Sequence, residues 1–323
     1  MKDFSPSDMK TILHSKRANL YYLQHCRVLV NGGRVEYVTD QGKESLYWNI
    51  PIANTTSILL GTGTSVTQSA MREFAKAGVL VGFCGGGGTP LFSGNDVEVD
   101  IAWLTPQSEY RATEYLQKWV SFWFDDDKRL AAAKQFQLVR LAMIKKHWLS
   151  TSVQKEFPVT EAQLTPVLSR FECLLSDCKT AQDVLLLEAT TTKTLYKLAC
   201  QAVGYGDFTR SERGNSLDTA NQFLDHGNYL AYGLGATACW VIGLPHGLAI
   251  LHGKTRRGGL VFDVADIVKD ALVLPQAFIA AMAGDDEQEF RQRCLNQLRS
   301  GNALDVMIDT LQSTAEDCAD MTQ

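Results

Sequence analysis

Four side chains in this sequence belong to the types that bind hard metal ions in proteins: Glu188, His252, Asp263 and Asp266. A carboxylate that lies among apolar neighbours is costly in free energy unless a partner compensates its charge. A bound divalent ion is one such partner, and it also does chemistry at the site. The four residues therefore predict a hard-cation site, which requires a fold that brings them together.

Glu188 lies in a helix pattern whose apolar positions include Val184 and Leu195. Helical spacing places its carboxylate on the same side, which indicates a side chain that points inward or into a cleft. Two other interpretations are open. The carboxylate can lie at the edge of the apolar stripe with its oxygens in water, or it can form a buried ion pair with Lys193 or Lys197.

Asp263 and Asp266 stand near the start of a predicted helix, where a spacing of three residues places both carboxylates on one face. Helix capping explains the pair about as easily, because acidic residues favour the first turn of any helix. His252 lies eleven residues upstream of Asp263, and Gly258 and Gly259 let the chain fold back between them. This context favours the metal site.

A stripe of polar side chains at helical spacing interrupts a strongly apolar helix pattern and predicts a deep functional cleft. Its members are Asp218, Asn221, Asp225, Asn228 and Tyr232. A hydrogen-bond network between packed helices is the alternative explanation for each member. Asn221 is counted among the candidate DNA contacts.

Basic residues cluster in two segments near these positions. Lys254, Arg256 and Arg257 follow the histidine, and Arg210 and Arg213 precede the polar stripe. The net charge of the chain is −5, so a nucleic-acid partner must be held by a local basic patch rather than by the field of the whole molecule. We predict that these five residues contact DNA phosphates.

Length and composition indicate a globular protein with two domains. Of the 323 residues, 45% are apolar and 21% are charged. Strand patterns dominate the first hundred residues and helical patterns dominate the rest. We therefore predict an α+β protein with a β-rich, sandwich-like domain at 1–100 and a larger all-α domain at 101–323.

The strand signals of the first domain include one hairpin. Val28 to Val30 and Val35 to Tyr37 flank the turn Asn31-Gly32-Gly33. Further strands are expected at 47–52 and 57–60.

One helix is predicted among these strands, with Ser65 and Gln68 as a capping box and Gly78 as its C-terminal stop. A buried strand is expected at 79–83. With the strand before it, this segment mimics a nucleotide-binding β-α-β unit. It lacks the complete glycine motif and the phosphate-binding lysine of such units.

The second domain is predicted to open with a long amphipathic helix that has Pro106 at its first position and ends near Asp125. Further helices are expected near 128–148, 160–175, 181–203, 216–242, 262–273, 286–299 and 302–315.

Cysteine usage and the N-terminus predict a cytoplasmic protein. The eight cysteines form no C-x-x-C pair, which favours reduced thiols, and MKDFSPSDMKT lacks the apolar segment of a secretory signal. The almost uncharged stretch 227–251 contains several glycines and Pro245, so it favours a buried core helix over a membrane span.

Four segments of the sequence resemble the CRISPR-associated integrase family Cas1 in its type I-F form, and the resemblance covers almost the whole chain. They are LLE at 186–188, SLDTANQFLDHGNYLAYG at 216–233, GLPHGLAILHG at 243–253 and FDVADIVKD at 262–270. The chain departs from many relatives at Leu244, where they have an acidic residue before the proline.

The resemblance implies that Glu188, His252 and Asp263 bind Mg²⁺ or Mn²⁺ and that Asp266 has an accessory role. It implies a β-domain that forms a homodimer and a helical domain that holds the site. It also implies a partnership with Cas2 fused to the Cas3 helicase-nuclease.

The implied activity is that of a metal-dependent DNA endonuclease and integrase. Such an enzyme inserts short double-stranded spacer DNA into the repeat array, by attack of a 3′-hydroxyl on a phosphodiester. The alternative is a metal-free helical DNA-binding scaffold, in which Glu188 is an ion-paired helix residue and the aspartates are helix caps.

Overall fold

The structure is a computed structural model that describes residues 19–41, 44–84, 102–104, 113–211, 218–253 and 258–321. The chain divides into two compact units, Met1–Arg111 and Ala112–Gln323. The sequence prediction placed this division after residue 100. Strands dominate the described part of the first unit, and the described part of the second unit is mainly helical, so the α+β fold class is confirmed.

The first unit contains two four-stranded sheets within the described ranges. Its strands and its helix are β1 Asn19–Leu23, β2 Arg27–Asn31, β3 Arg34–Gln41, β4 Glu44–Asn49, β5 Thr55–Leu60, β6 Ser65–Val66, α1 Gln68–Ala77, β7 Leu80–Phe83 and β8 Ala102–Leu104. The sheet orders are β1-β5-β7-β8 and β4-β3-β2-β6. Apolar side chains of both sheets and of α1, among them Val28, Ile58 and Phe74, form one core.

The predicted hairpin is confirmed. Strands β2 and β3 pair antiparallel with Asn31 opposite Arg34. The turn between them consists of Gly32 and Gly33, whose φ angles are 55° and 79°. Two positive φ angles in succession are what a two-residue hairpin turn requires, and glycine adopts them without steric cost.

The segment around α1 differs in two ways from its prediction. Ser65 belongs to strand β6, and the helix is capped instead by Thr67, whose Oγ1 accepts a hydrogen bond from the backbone N–H of Ala70. Strands β5 and β7 pair in parallel, so β5, α1 and β7 form a real β-α-β connection rather than a mimic. Gly78 ends the helix at φ 69°, as predicted.

The described helices of the second unit are α2 Glu114–Trp123, α3 Asp126–Trp148, α4 Glu161–Asp177, α5 Ala181–Val203, α6 Thr219–Val241, α7 Gly259–Val268, a π-helical turn Lys269–Val273, α8 Leu274–Ala283, α9 Glu287–Ser300 and α10 Ala303–Asp320. Capping boxes at Thr160, Thr180 and Asp286 fix the start of α4, α5 and α9. The predicted helix start at Pro106 lies outside the described residues.

The centre of this unit is formed by α6 and α7, and all ten residues of α7 are buried. The two helices approach closely at Gly235, where an added Cβ would lie 2.8 Å from the carbonyl oxygen of Val261. The segment 259–283 runs from α7 through the π turn into α8. It therefore extends ten residues beyond the end predicted at 273.

The eight cysteines are free thiols. Within the described ranges, no helix is long and apolar enough to cross a membrane.

Candidate metal centre

Three side chains from three elements of the helical unit converge on one point. Glu188 lies on α5, His252 lies in the loop between α6 and α7, and Asp266 lies on α7. Their potential ligand atoms are all within 4.8 Å of one another. Glu188 is 8% exposed and Asp266 is 4% exposed. Oxygen and imidazole donors in such a group suit a divalent ion of the Mg²⁺ or Mn²⁺ type.

The Glu188 carboxylate fits a metal because one of its oxygens, Oε2, is buried without a hydrogen-bond partner among the described residues. Lys193 and Lys197 are exposed, and neither forms an ion pair with Glu188 in the described part of the chain. The interpretations as a water-exposed or ion-paired glutamate therefore do not agree with the structure. A bound cation would compensate the orphaned oxygen.

The environment of Glu188 favours its protonated form when no cation is bound. Burial, together with the negative charge of Asp266, raises the pKa of Glu188 to about 7 from the ordinary value of 4.5. A divalent ion between the two carboxylates would remove the proton from Glu188 and offset the repulsion.

Asp263 lies beside this group and organises the loop that carries His252. Its Oδ2 accepts hydrogen bonds from the backbone N–H groups of Ile250 and Leu251, at 2.7 and 3.1 Å. Its Oδ1 accepts from the backbone N–H of His252 at 3.1 Å and lies 2.7 Å from His252 Nδ1. With Nδ1 directed at Asp263, Nε2 is the ring nitrogen that is placed to coordinate a metal.

The two aspartates thus differ from the expectation drawn from the sequence. We expected Asp263 as a ligand and Asp266 as an accessory residue, and the structure places Asp266 in the group of three instead. The reason is the path of the loop. It turns three successive N–H groups toward Asp263, whose side chain is 0% exposed. Hydrogen bonds occupy both oxygens of Asp263.

Lys269 is a charged residue of the site that the sequence analysis missed. Its ammonium forms an ion pair with Oδ1 of Asp266. Burial alone would lower the pKa of Lys269, but the negative Asp266 raises it well above its usual range. Burial alone would raise the pKa of Asp266, but the positive charges of Lys269 and His252 lower it. The spacing of three residues is the one sequence signal for this pair.

The loop before His252 is also held from the side of α2. The indole N–H of Trp119 donates to the carbonyl oxygen of Leu248 at 3.0 Å, and the indole N–H of Trp123 donates to that of Ala249 at 2.8 Å. Helix α2 thus binds the loop carbonyls, while Asp263 binds the loop N–H groups. These contacts fix the backbone on which His252 stands.

Most of the predicted polar stripe forms a hydrogen-bond network. Asp218 caps α6 by accepting from the backbone N–H of Asn221 at 2.8 Å. Arg210 donates to Asn221 Oδ1 at 2.8 Å and pairs with Asp225. The Asn221 amide donates to the Thr209 carbonyl at 3.0 Å. The network attaches the segment after α5 to α6, which agrees with the structural alternative weighed for these residues.

The predicted DNA contacts divide into two groups. Arg210 and Asn221 lie in the network just described. Lys254, Arg256, Arg257 and Arg213 lie outside the described residues.

Comparison with known proteins gives one consistent result. The family model described as "CRISPR associated protein Cas1" matches residues 20–286. A protein named CRISPR-associated endonuclease Cas1 from Pectobacterium atrosepticum is 69% identical over 314 residues, which cover 97% of this chain and 96% of that protein. A protein of the same name from Pseudomonas aeruginosa is 65% identical over 318 residues and covers 98% of both chains.

Solved structures of low sequence identity share the fold. The structure "Casposase bound to integration product" matches with a TM-score of 0.67 at 14% identity and covers 94% of this chain and 92% of that one. A "Cas6-RT-Cas1--Cas2 complex" matches with a TM-score of 0.61 at 13% identity and covers 94% of this chain and 35% of that one.

Proposed function

Since this chain belongs to the CRISPR-associated Cas1 family, we propose that it is a divalent-metal-dependent DNA endonuclease and integrase of CRISPR adaptation. Its substrates are short double-stranded spacer DNA and the repeat array. The 3′-hydroxyl of the spacer attacks a phosphodiester of the repeat, so that one P–O bond forms as another breaks. With water in place of the hydroxyl, the same site gives nuclease activity.

The observation that carries this proposal is the buried oxygen of Glu188, which has no hydrogen-bond partner among the described residues and lies beside Asp266 and His252. We assign these three residues as the metal ligands, through the two carboxylates and His252 Nε2. These ligands would hold Mg²⁺ or Mn²⁺, which would polarise the scissile phosphate as a Lewis acid and lower the pKa of the attacking hydroxyl. The relatives named as endonucleases support the same reaction class.

Other residues of the chain orient the ligands and balance the charge. Asp263 holds the His252 ring with Nδ1 toward itself, so that Nε2 is the nitrogen that would bind the metal. Lys269 adds a positive charge next to Asp266, which reduces the net negative charge that an incoming phosphate meets.

The DNA is proposed to lie across the segment between His252 and α7. Lys254, Arg256 and Arg257 follow His252 directly and would bind phosphates next to the scissile bond. Arg213 would extend this contact from the segment before α6. Arg210 and Asn221 would support the same segment and reach DNA only if they leave their present partners.

The assembly is proposed to be a homodimer that joins Cas2, in this subtype fused to the Cas3 helicase-nuclease. Support comes from the type I-F resemblance of the sequence and from the matching structure named as a complex with Cas2. Two dimers bridged by that partner would place two active sites at a fixed spacing.

The test is strand transfer of a labelled spacer duplex into a supercoiled plasmid that carries a repeat, with the Cas2–Cas3 partner present. Mn²⁺ or Mg²⁺ is compared with EDTA, and Asp266→Asn is compared with the exposed control Asp309→Asn. Joined product that needs both the metal and Asp266 is expected. Binding of DNA without metal-dependent joining or cleavage would support the metal-free scaffold instead.

A further inference from the structure

A buried arginine connects the two helices that carry the proposed carboxylate ligands. Arg140 of α3 is 1% exposed. Its Nε donates to Oδ2 of Asp270 at 3.0 Å, and its Nη2 donates to the hydroxyl of Thr192 at 2.8 Å. Its Nη1 donates to Oε1 of Gln137 at 2.8 Å, so every nitrogen of the guanidinium has a partner.

The partners of Arg140 are one helical turn away from the ligands. Thr192 follows Glu188 by four residues on α5, and Asp270 follows Asp266 by four residues in the segment that continues α7. Asp270 is further fixed through its backbone, because its carbonyl oxygen accepts from the indole N–H of Trp148 at 2.9 Å. One buried side chain thus joins the two side chains that lie one helical turn after each carboxylate.

Stability alone does not explain this arrangement. A fully buried ion pair loses the hydration of both ions, and well-packed apolar residues at the same positions commonly give equal or greater stability. Asp270 is 3% exposed, so both partners carry this cost. A pair of this kind does fix the distance and orientation of the elements that it joins, since a planar guanidinium has few alternative geometries.

We propose that Arg140 is a positioning residue that sets the separation of Glu188 and Asp266, acting through Thr192 and Asp270. This inference rests on the proposed function, because that function assigns the two carboxylates to one metal ion. Arg140 itself contacts neither carboxylate among its described hydrogen bonds.

The positive charge of Arg140 also favours a close approach of Glu188 and Asp266. Burial alone would lower the pKa of Arg140, but Asp270, Glu188 and Asp266 raise it above its usual range, so the guanidinium stays charged. A permanent positive charge behind the two carboxylates reduces their repulsion before a cation arrives.

The first test is Thr192→Val in the full-length protein, which keeps the shape of the side chain and removes the hydroxyl that Arg140 binds. Thr194→Val is the matched control, because its hydroxyl bonds only to the Thr190 carbonyl of its own helix among the described contacts. Mn²⁺ affinity is measured by isothermal titration of the EDTA-treated, dialysed protein. We expect about tenfold weaker binding for Thr192→Val and no change for the control.

The second test replaces both ions, as Arg140→Met with Asp270→Leu. A purely structural pair predicts a folded protein with wild-type Mn²⁺ affinity. Our inference predicts a protein that melts near the wild-type temperature in EDTA and binds Mn²⁺ at least tenfold more weakly.

The outcomes distinguish the proposed function from the role of Arg140. If the wild type does not bind Mn²⁺, the proposed function fails. If the wild type binds Mn²⁺ and Thr192→Val binds it equally well, the role of Arg140 is refuted while the function stands. If the double variant does not fold, the comparison of Thr192→Val with Thr194→Val decides.

Discussion

Asp263 Oδ1 lies 2.7 Å from His252 Nδ1 while both oxygens of the same carboxylate also bind backbone N–H groups of the loop. The carboxylate therefore positions both the ring and the backbone of His252. This relationship separates the roles of two aspartates that sequence reasoning treated as a pair.

The first prediction concerns these two roles. Asp263→Asn is expected to weaken Mn²⁺ binding by about 10- to 100-fold, because the His252 ring loses its charged acceptor. Asp266→Asn is expected to abolish measurable binding. Isothermal titration of both variants, with Asp309→Asn as control, tests this difference. Equal losses in the two variants would return Asp263 to the ligand set.

The second prediction concerns the stability of the metal-free protein. The pKa of Glu188 is about 7 in the folded protein, and its ordinary value of 4.5 applies to the unfolded chain. Below pH 4.5 Glu188 does not reduce the free energy of unfolding. Between pH 4.5 and pH 7 the unfolded chain releases a proton that the folded protein keeps, so the free energy of unfolding falls until the pH has risen through 7. At pH 8 the cost is about 3 kcal/mol.

Glu188→Gln should therefore stabilise the protein in EDTA more at pH 8 than at pH 5. Urea unfolding of the wild type, of Glu188→Gln and of the exposed control Glu172→Gln measures this difference. The same gain at both pH values would contradict the raised pKa.

The third prediction is that Mn²⁺ affinity depends on pH in the wild type. Below pH 7 a metal must displace the proton of Glu188. Burial alone would lower the pKa of His252, but its hydrogen bond with Asp263 raises it, so a proton on this ring also competes with the metal. The apparent affinity should therefore fall at least about fivefold between pH 7 and pH 6. Thermal shift at several Mn²⁺ concentrations, at pH 6 and pH 7, measures it. Affinity that is equal at the two pH values would show that Glu188 is already ionised before the metal binds.

The fourth prediction concerns the bond from α2 to the His252 loop. Trp123→Phe keeps an aromatic ring but removes the donor to the Ala249 carbonyl. We expect a loss of about 1 kcal/mol in stability, together with a higher Mn²⁺ concentration for half-maximal cleavage. Trp48→Phe on strand β4 is the control, since Trp48 is 49% exposed and lies in the other unit. An unchanged metal requirement in Trp123→Phe would show that the loop holds its position without this bond.

The fifth prediction separates structural arginines from DNA contacts. Arg210→Gln leaves the partly buried Asp225 without its partner, so it should lower stability by about 1–3 kcal/mol. Arg256→Gln should leave the melting temperature unchanged, weaken DNA binding and reduce the slope of log affinity against log salt by about one. Thermal melts and DNA titrations at several salt concentrations distinguish the two. A reduced salt slope in Arg210→Gln would place Arg210 on the DNA.

The elements with local signals were predictable from the sequence. Two glycines between alternating apolar residues gave the hairpin of β2 and β3, and the helix of Glu188 has the predicted bounds 181–203 because a capping box and Gly204 mark its ends. The three residues of the metal group were among the four candidates because carboxylate and imidazole side chains, the usual metal ligands, can be recognised from the residue type alone.

Features that depend on packing were not predictable. The roles of Asp263 and Asp266 follow from the path of a loop that has no periodic pattern. Arg140 reads as an ordinary helix residue, because its partners are 52 and 130 residues away along the chain. The β-α-β connection of β5, α1 and β7 could not be inferred from a phosphate-binding motif, because such a motif indicates ligand binding and not the order or direction of strands.

The π-helical turn at Lys269–Val273 has a consequence for the length of this part of the chain. The N–H of Leu274 donates to the Lys269 carbonyl, one residue further back than in an α-helix. The turn therefore holds one residue more than an α-helical turn would, and this part of the chain is one residue longer than a regular α-helix with the same number of turns. The α-helical spacing counted from Asp266 consequently fails at the turn, and the buried residues of α8, such as Ala277 and Phe278, follow a count of their own.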